Sequence, residues 1–287
     1  MTHRYHNPVA VRIGAGALEE LPAVLAGRRA VLITFPEAES LGLVGRVRSI
    51  LGPALVGVED QIEPNPDVSY LAPMYQRFWR DHAECEAVVA VGGGSAIDTA
   101  KALMVGTASG GFDELLALLA KGAAFTPYRA KALIAVPTTA GTGSEVTPWA
   151  TIWEKATQRK HSLHLRETWP ESAIIDPQLM LTLPASVTLQ SGLDALSHAL
   201  ESIWNVNSNP VSDTFAISAA REVLATLPAL MKSPRDLELR ARMALAALKA
   251  GLAFSNTKTA LAHSISYEMT LRLGLPHGIA CSFTLPM

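Results

Sequence analysis

AVVAVGGGSAIDTAKAL, residues 87–103, joins a run of small and β-branched apolar residues to three consecutive glycines and then to a helical pattern. An unbroken apolar run of this length fits a strand buried on both faces, as in a parallel sheet covered by helices. Glycines at a strand-to-helix turn let the backbone approach a ligand closely. The new helix presents free N–H groups and the positive end of its dipole to an anion. Ser95 reads as the N-cap, and Asp98, three residues on, completes a capping-box arrangement. The pattern is neither GxGxxG nor a Walker motif, so alone it fits a plain tight turn as well as a pyrophosphate cradle.

The same alternation extends to both sides. VAVRIG, ALEELPAVLAG, AVLIT, GRVRSIL, EAVVAVGGG and KALIAVPTT alternate strand with helix or run from strand into turn, the pattern of a parallel sheet. After WATIWEK and SAIIDP the strand signals stop. From about Pro184 the text is helical: VTLQSGLDALSHALESIW, SDTFAISAAREVLATLPALM, LELRARMALAALKAGLAF and TKTALAHSISYEMTLRLG. The expected fold is an α/β N-terminal lobe with a Rossmann-like parallel sheet, residues 1–184, followed by an all-α domain, residues 185–287. A chain of 287 residues is long enough for two such lobes.

Composition narrows the function classes. With 49% hydrophobic and 17% charged residues and a net charge of −2, the chain lacks the basic footprint of a nucleic-acid binder. MTHRYHNPVAV lacks the apolar core of a secretory signal, and no later stretch reaches an unbroken membrane-spanning length. No nucleic acid and no membrane are expected as partners, and the cytoplasm is the expected location. Cys85 and Cys281 are too few for a disulfide framework or a thiolate cage, so any metal is expected on His and carboxylates.

A second loop decides how the glycine turn is read. PTTAGTGSEVT, residues 137–147, again follows an apolar strand and offers Thr138, Thr139, Thr142 and Ser144 as small hydroxyl groups. Two such loops at the ends of parallel strands converge where these sheets bind a dinucleotide.

On the helical half, SGLDALSHALESIW places Asp194 and His198 four residues apart, on one helix face. Alone, that spacing is an ordinary helix pair. His263 in TALAHSISYEM and His277 in GLPHG supply company: one carboxylate and three imidazoles make a mixed site suited to Fe²⁺ or Zn²⁺.

GGGSAIDTAK, PTTAGTGSEVT, GLDALSHALES, ALAHSISY and PHGIACSFTLP, in this order and over essentially the whole chain, resemble the iron-containing alcohol dehydrogenases. The resemblance implies the shared architecture of those enzymes and of dehydroquinate synthase. It also implies a homodimer and metal ligands Asp194, His198, His263 and His277. Gly93, Gly94 and Ser95 would hold the pyrophosphate of NAD or NADP, with Asp98 in the same turn. Thr138, Thr139, Thr142, Ser144, Val146 and Lys160 would line the cofactor cleft. The expected reaction is hydride transfer between NAD(P)H and a small aldehyde or primary alcohol. TTAGTGSEVTPWATIW, LDALSHALESIWN and FSNTKTALAHSISY are most similar to the branch associated with phosphonate metabolism, whose implied substrate is phosphonoacetaldehyde.

Three departures stand against that pattern. Phe35 and Pro36 follow LIT where NAD-preferring relatives often place an aspartate against the ribose, which leaves cofactor choice open. Tyr267 stands where many members carry a second histidine for proton transfer, and a phenol with an ordinary pKa near 10 needs help in that role. CSFTLPM ends where family members continue through further helices, so a truncated product or a fragment is expected. For a dianionic head group the candidate partners are Lys258 and the cluster RKHSLHLR, in which Arg159, His161, His164 and Arg166 accompany Lys160. A dehydroquinate synthase-like lyase, or a chain that binds metal or cofactor without turnover, are the rival readings.

Overall fold

The computed structural model describes residues 2–285. In chain order its strands are β1 (Ala10–Ile13), β2 (Ala30–Thr34), β3 (Leu55–Glu59), β4 (Ala87–Gly92), β5 (Val105–Gly106), β6 (Arg129–Ala130), β7 (Ala132–Pro137), β8 (Trp149–Glu154), β9 (Arg159–His164) and β10 (Ser172–Ile175). Helices α1 (Leu21–Leu25), α2 (Leu43–Leu51), α3 (Val68–Asp81), α4 (Gly94–Leu103) and α5 (Asp113–Lys121) lie between them. Then follow α6 (Ala185–Trp204), α7 (Pro210–Lys232), α8 (Leu237–Thr257), α9 (Leu261–Leu273) and α10 (His277–Ser282).

Six strands form one sheet in the order β1-β10-β7-β4-β2-β3, every pair parallel. The period of two in each strand divides its side chains between two cores. Val31, Ile33, Val88, Ala90, Leu133 and Ala135 join the core beneath α3 and α4. Leu32, Val89, Val91, Ile134 and Val136 join the one beneath α1 and α2. Burial on both faces is why these strands are continuous apolar runs. The α/β lobe followed by a helical region is the architecture expected from the sequence.

From β2 the chain moves outward to β3 and then returns to β4 on the other side of β2. The connections after β2 and β4 therefore leave in opposite directions, which opens a crevice at the carboxyl ends of the strands. Gly92 at the end of β4 pairs with Pro137 at the end of β7, and the Thr138 N–H donates to the Gly92 carbonyl at 2.9 Å. The glycine turn and the hydroxyl-rich loop thus emerge side by side.

β8 and β9 form a separate antiparallel hairpin. A third core gathers Ala195 and Ala199 of α6, Val223 and Leu227 of α7, and Ala246 and Ala250 of α8. α7 is long and apolar enough to cross a membrane by length and composition, contrary to the expectation from the sequence. Here it carries Asp213, Arg221 and Glu222, and it packs against α6 and α8.

The two lobes meet closely at Gly143. Its φ of +61° suits glycine, and a Cβ there would lie 2.7 Å from the Gly251 Cα of α8.

The stretch TKTALAHSISYEMTLRLG is not one helix. α8 runs through Thr257, Lys258 takes φ +70°, and α9 begins at Leu261. Side-chain amides stabilise the break: Asn207 donates to the Thr257 carbonyl at 3.2 Å and Asn205 to the Thr259 carbonyl at 3.1 Å.

Candidate active site

A cleft of about 840 Å³ lies between the lobes, lined at one end by Gly93, Gly94, Thr138 and Thr142 and at the other by Asp194, His198, His263 and His277. Its size is that of a small-molecule or cofactor site.

At the first end, α4 begins with Gly93 as N-cap, and no side chain caps it among the described residues. Ser95 is therefore not the N-cap that its position suggests. It lies inside the first turn, and its Oγ accepts the Asn65 N–H at 3.1 Å. Asp98 does not close a capping box. Its carboxylate reaches across to the second loop, accepting the Ser144 hydroxyl at 2.6 Å and the Thr151 N–H at 2.8 Å. An uncapped helix start facing the cleft keeps its N–H groups and dipole available to an anion. Ser95, Asp98, Thr139 and Ser144 also line the cleft. Val146 does not: its side chain is buried in the helical core, and its carbonyl accepts the Asn7 amide at 2.9 Å. An apolar side chain gains more from that core than from a polar cleft wall.

Beneath the two loops lies a buried ionic network that the sequence reading missed. The Lys101 ammonium is fully buried and donates at 2.7 Å to the Ser144 carbonyl, the Ser144 hydroxyl and the Trp149 carbonyl. Burial lowers its pKa to about 8, against the pull of Asp98 and Glu145. Burial raises the Glu145 carboxyl to about 7, with Lys101 acting in the opposite direction. A lysine seven residues after the first residue of α4 was the available signal, but helical lysines are mostly solvated.

At the second end, three helices converge on one oxygen. His263 Nε2 of α9 lies 3.4 Å from Asp194 Oδ1, while His198 Nε2 of α6 and His277 Nε2 of α10 lie 3.9 Å from it. His277 is the first residue of α10 and not part of a loop. Gly278 allows the approach, since a Cβ there would lie 2.0 Å from the Gln190 carbonyl oxygen of α6. The His198 ring is stacked between Phe254, at 4.2 Å between centroids, and His263, at 4.6 Å.

The electrostatics follow from burial. Burial opposes charge on Asp194, but His198, His263 and His277 hold its carboxyl far below the usual range. Burial lowers His198 and His277 to about 4, so both rings are neutral near pH 7 with lone pairs available. Burial also acts to lower His263, but its neighbours Asp194, Cys281 and Glu201 carry it well above the ordinary imidazole value. Among the described residues of this cluster, Asp194 Oδ1 and His263 Nε2 are buried without a hydrogen-bond partner on the side that faces the other ligands. Such orphaned polar atoms are costly unless another group engages them, and this donor set fits a divalent iron or zinc ion.

Two residues here escaped the sequence reading. Glu201 is fully buried, accepts the Ala262 N–H at 2.7 Å, and hydrogen-bonds His263 Nδ1. It falls on the face of α6 that carries Asp194 and His198, so its spacing was legible. Cys281 Sγ lies 3.5 Å from His277 Nε2, and it shares a cluster with Asp194, His263 and His277 whose ligand atoms all lie within 4.8 Å of one another. One helical turn separates Cys281 from His277.

The basic residues divide. Alternation along β9 sends His161 to the Glu154 carboxylate at 2.8 Å and His164 onto the Trp149 ring at 4.0 Å, while Arg159 and Arg166 are exposed. RKHSLHLR therefore forms no single basic face. Lys160 and Lys258 are the members of the expected set that line the cleft. Lys160 Nζ sits 3.6 Å from the Tyr267 ring centroid, Tyr267 lies parallel to His277 at 6.2 Å, and Lys258 Nζ is 5.5 Å from the Trp149 ring.

Known proteins share this arrangement. Residues 8–177 match iron-containing alcohol dehydrogenase, and residues 188–287 match the Fe-containing alcohol dehydrogenase family, C-terminal. The chain is 35% identical to the NAD-dependent methanol dehydrogenase of Bacillus methanolicus, over 100% of this chain and 74% of that protein. It is 32% identical to the 1,3-propanediol dehydrogenase of Citrobacter freundii, over 92% of this chain and 67% of that one. The crystal structure of sulfoacetaldehyde reductase from Bifidobacterium kashiwanohense in complex with NAD⁺ superposes with a TM-score of 0.91 at 32% identity, covering 99% of this chain and 75% of that one. Sequence, fold and the order of the motifs around the cleft agree: the chain belongs to the iron-containing alcohol dehydrogenase family.

Proposed function

We propose that this chain is a metal-dependent oxidoreductase transferring hydride between NAD(P)H and a small aldehyde or primary alcohol. One observation carries the reading: a single cleft joins an uncapped helix start between two glycine- and hydroxyl-rich loops to a buried cluster of one carboxylate and three imidazoles. A divalent iron or zinc ion on Asp194, His198, His263 and His277 would act as a Lewis acid on the substrate oxygen. Asp194 supplies negative charge at that point, and Glu201 fixes the His263 ring through Nδ1, leaving Nε2 for the cleft. Gly93, Gly94 and Ser95 would receive the cofactor pyrophosphate on backbone N–H groups. Thr138, Thr139, Thr142 and Ser144 would offer hydroxyls to the dinucleotide. Lys160 and Tyr267 line the same cleft with the ammonium 3.6 Å from the ring centroid, where the phenol would hold or pass a proton.

The substrate we propose is a short aldehyde with an anionic head, phosphonoacetaldehyde being the candidate. Lys258 and Lys160 on the cleft wall support this, because a buried dianion without cationic partners is prohibitively desolvated. The structural relative that reduces sulfoacetaldehyde supports it too. The test is metal analysis of the purified chain together with NAD(P)H oxidation against charged and uncharged short aldehydes. Metal binding with aldehyde-dependent oxidation is expected. Metal without oxidation would leave a binding protein, and turnover of a phosphorylated polyol instead would point to a lyase.

A further inference from the structure

Trp149 carries a polar group that the fold leaves unused. Its ring lines the cleft, and its indole Nε1–H is buried without a hydrogen-bond partner among the described residues. A buried donor left unpaired is costly unless a ligand engages it. The ring is held rigidly. The Trp149 carbonyl accepts the buried Lys101 ammonium at 2.7 Å, and across the hairpin Trp149 pairs with His164, whose ring stacks on it at 4.0 Å. Lys258, on the same cleft wall, places Nζ 5.5 Å from the indole centroid.

Lys258 is fixed as well. Its backbone, at φ +70° and ψ 177°, occupies a region nearly confined to glycine, and strain of this kind collects at ligand clamps. The Phe254 carbonyl accepts the Lys258 N–H at 2.8 Å, and the Thr257 hydroxyl donates to the Lys258 carbonyl at 2.9 Å. Phe254 is the residue that stacks on His198. Four residues, ~6 Å of helix, therefore separate the residue packed on the Asp/His cluster from the one that carries the ammonium.

We propose that Trp149 is a specificity-determining residue: its indole N–H and the Lys258 ammonium together seat the oxyanion head of the aldehyde, the first as a directed donor and the second as the charge. The inference rests on the anionic-aldehyde reading above. An acidic head gives the indole the acceptor it lacks. A neutral alkyl tail leaves that donor unpaired, and a site built to donate to an oxygen rejects an analogue without one.

The test is calorimetric titration of the full chain, saturated with NAD⁺, with ethylphosphonate, an unreactive dianion. Wild type, Trp149→Phe and Lys258→Met are compared; Trp149→Phe keeps an aromatic ring and removes the donor. Each variant is expected to raise the ethylphosphonate Kd by about tenfold. The ratio of kcat/KM for phosphonoacetaldehyde over propanal should fall by a similar factor in Trp149→Phe. If Trp149→Phe does not fold, the indole ¹⁵N–¹H spectrum of wild type decides: of the five indole resonances, the one displaced by Lys258→Met moves on adding ethylphosphonate. A spectrum in which that resonance stays still overturns the proposal. Equal Kd in wild type and Trp149→Phe, or no binding by wild type, also overturns it, while NADH-dependent reduction of propanal leaves the oxidoreductase reading standing. A Kd that depends on Trp149 in a chain that reduces no aldehyde upholds the seat and overturns the oxidoreductase reading.

Discussion

The Glu201 carboxylate holds Nδ1 of His263 and the two backbone N–H groups of Ala262 and His263 at the start of α9, so one buried side chain of α6 sets both the ring and the helix that carries it. Groups that orient a ligating histidine usually change metal affinity by about 10–100-fold when removed. Glu201→Ala is expected to raise the metal Kd within that range, and Glu201→Gln, which keeps a hydrogen-bond acceptor, to recover part of the loss. Titration of the metal-free proteins with zinc measures both. Unchanged affinity in Glu201→Ala would show that the packing around His263 suffices.

His263→Ala should lower metal content and activity together, since it removes a ligand whose Nε2 lies 3.4 Å from Asp194 Oδ1. Elemental analysis of the purified variant at matched protein concentration is the check. Wild-type stoichiometry and affinity would remove His263 from the ligand set.

Phe35 follows β2 and lines the cleft where a carboxylate would repel a 2′-phosphate. Measurable use of NADP(H) beside NAD(H) is therefore expected. If kcat/KM favours NAD(H) by several hundredfold, some other group excludes the phosphate.

Lys258→Ala should raise KM for phosphonoacetaldehyde while leaving propanal little changed, because the ammonium near Trp149 matters to a dianion alone. Equal effects on the two substrates would make Lys258 a structural residue of the break between α8 and α9.

Burial raises the Glu145 carboxyl from an ordinary 4.5 to about 7. A raised folded pKa means that its contribution is fully present below the unfolded pKa and is lost as pH climbs through the folded one. For a single group shifted this far the loss is about 3 kcal/mol. Glu145→Gln, which cannot ionise, should gain stability relative to wild type between pH 5 and pH 8, read by urea denaturation at each pH. Parallel pH dependence in the two proteins would mean that Glu145 is ionised throughout, paired with Lys101.

The apolar run of β4 and the glycines after it were legible because a strand buried on both faces has no polar residue to blur it. Asp194 and His198 were legible because their relation lies within one helix. Glu201 shares their helix face, but its role was not legible, since its partner belongs to α9 and local spacing does not show which face of α6 that helix covers. Cys281 was passed over because composition counts thiols without locating them. Ser95 failed as a cap for a different reason: the Asn65 backbone competes for its hydroxyl, a contact 30 residues away in sequence. The division of His161 from His164 follows from strand alternation, but which face turns to the cleft depends on how the β8–β9 hairpin docks.

The contact between Gly143 and Gly251 works as a spacing gauge. Gly251 of α8 lies three residues before Phe254, which stacks on His198, while Gly143 lies in the loop that presents Thr142 and Ser144 to the cleft. The spacing of the hydroxyl-rich loop from the Asp/His cluster is thereby tied to two backbones in direct contact, with no side chain between them to yield. A single methyl group at Gly251, 3.0 Å from the Gly143 Cα and 2.7 Å from Val146, would push the loop and the helix that carries Phe254 apart, and so move both ends of the cleft at once.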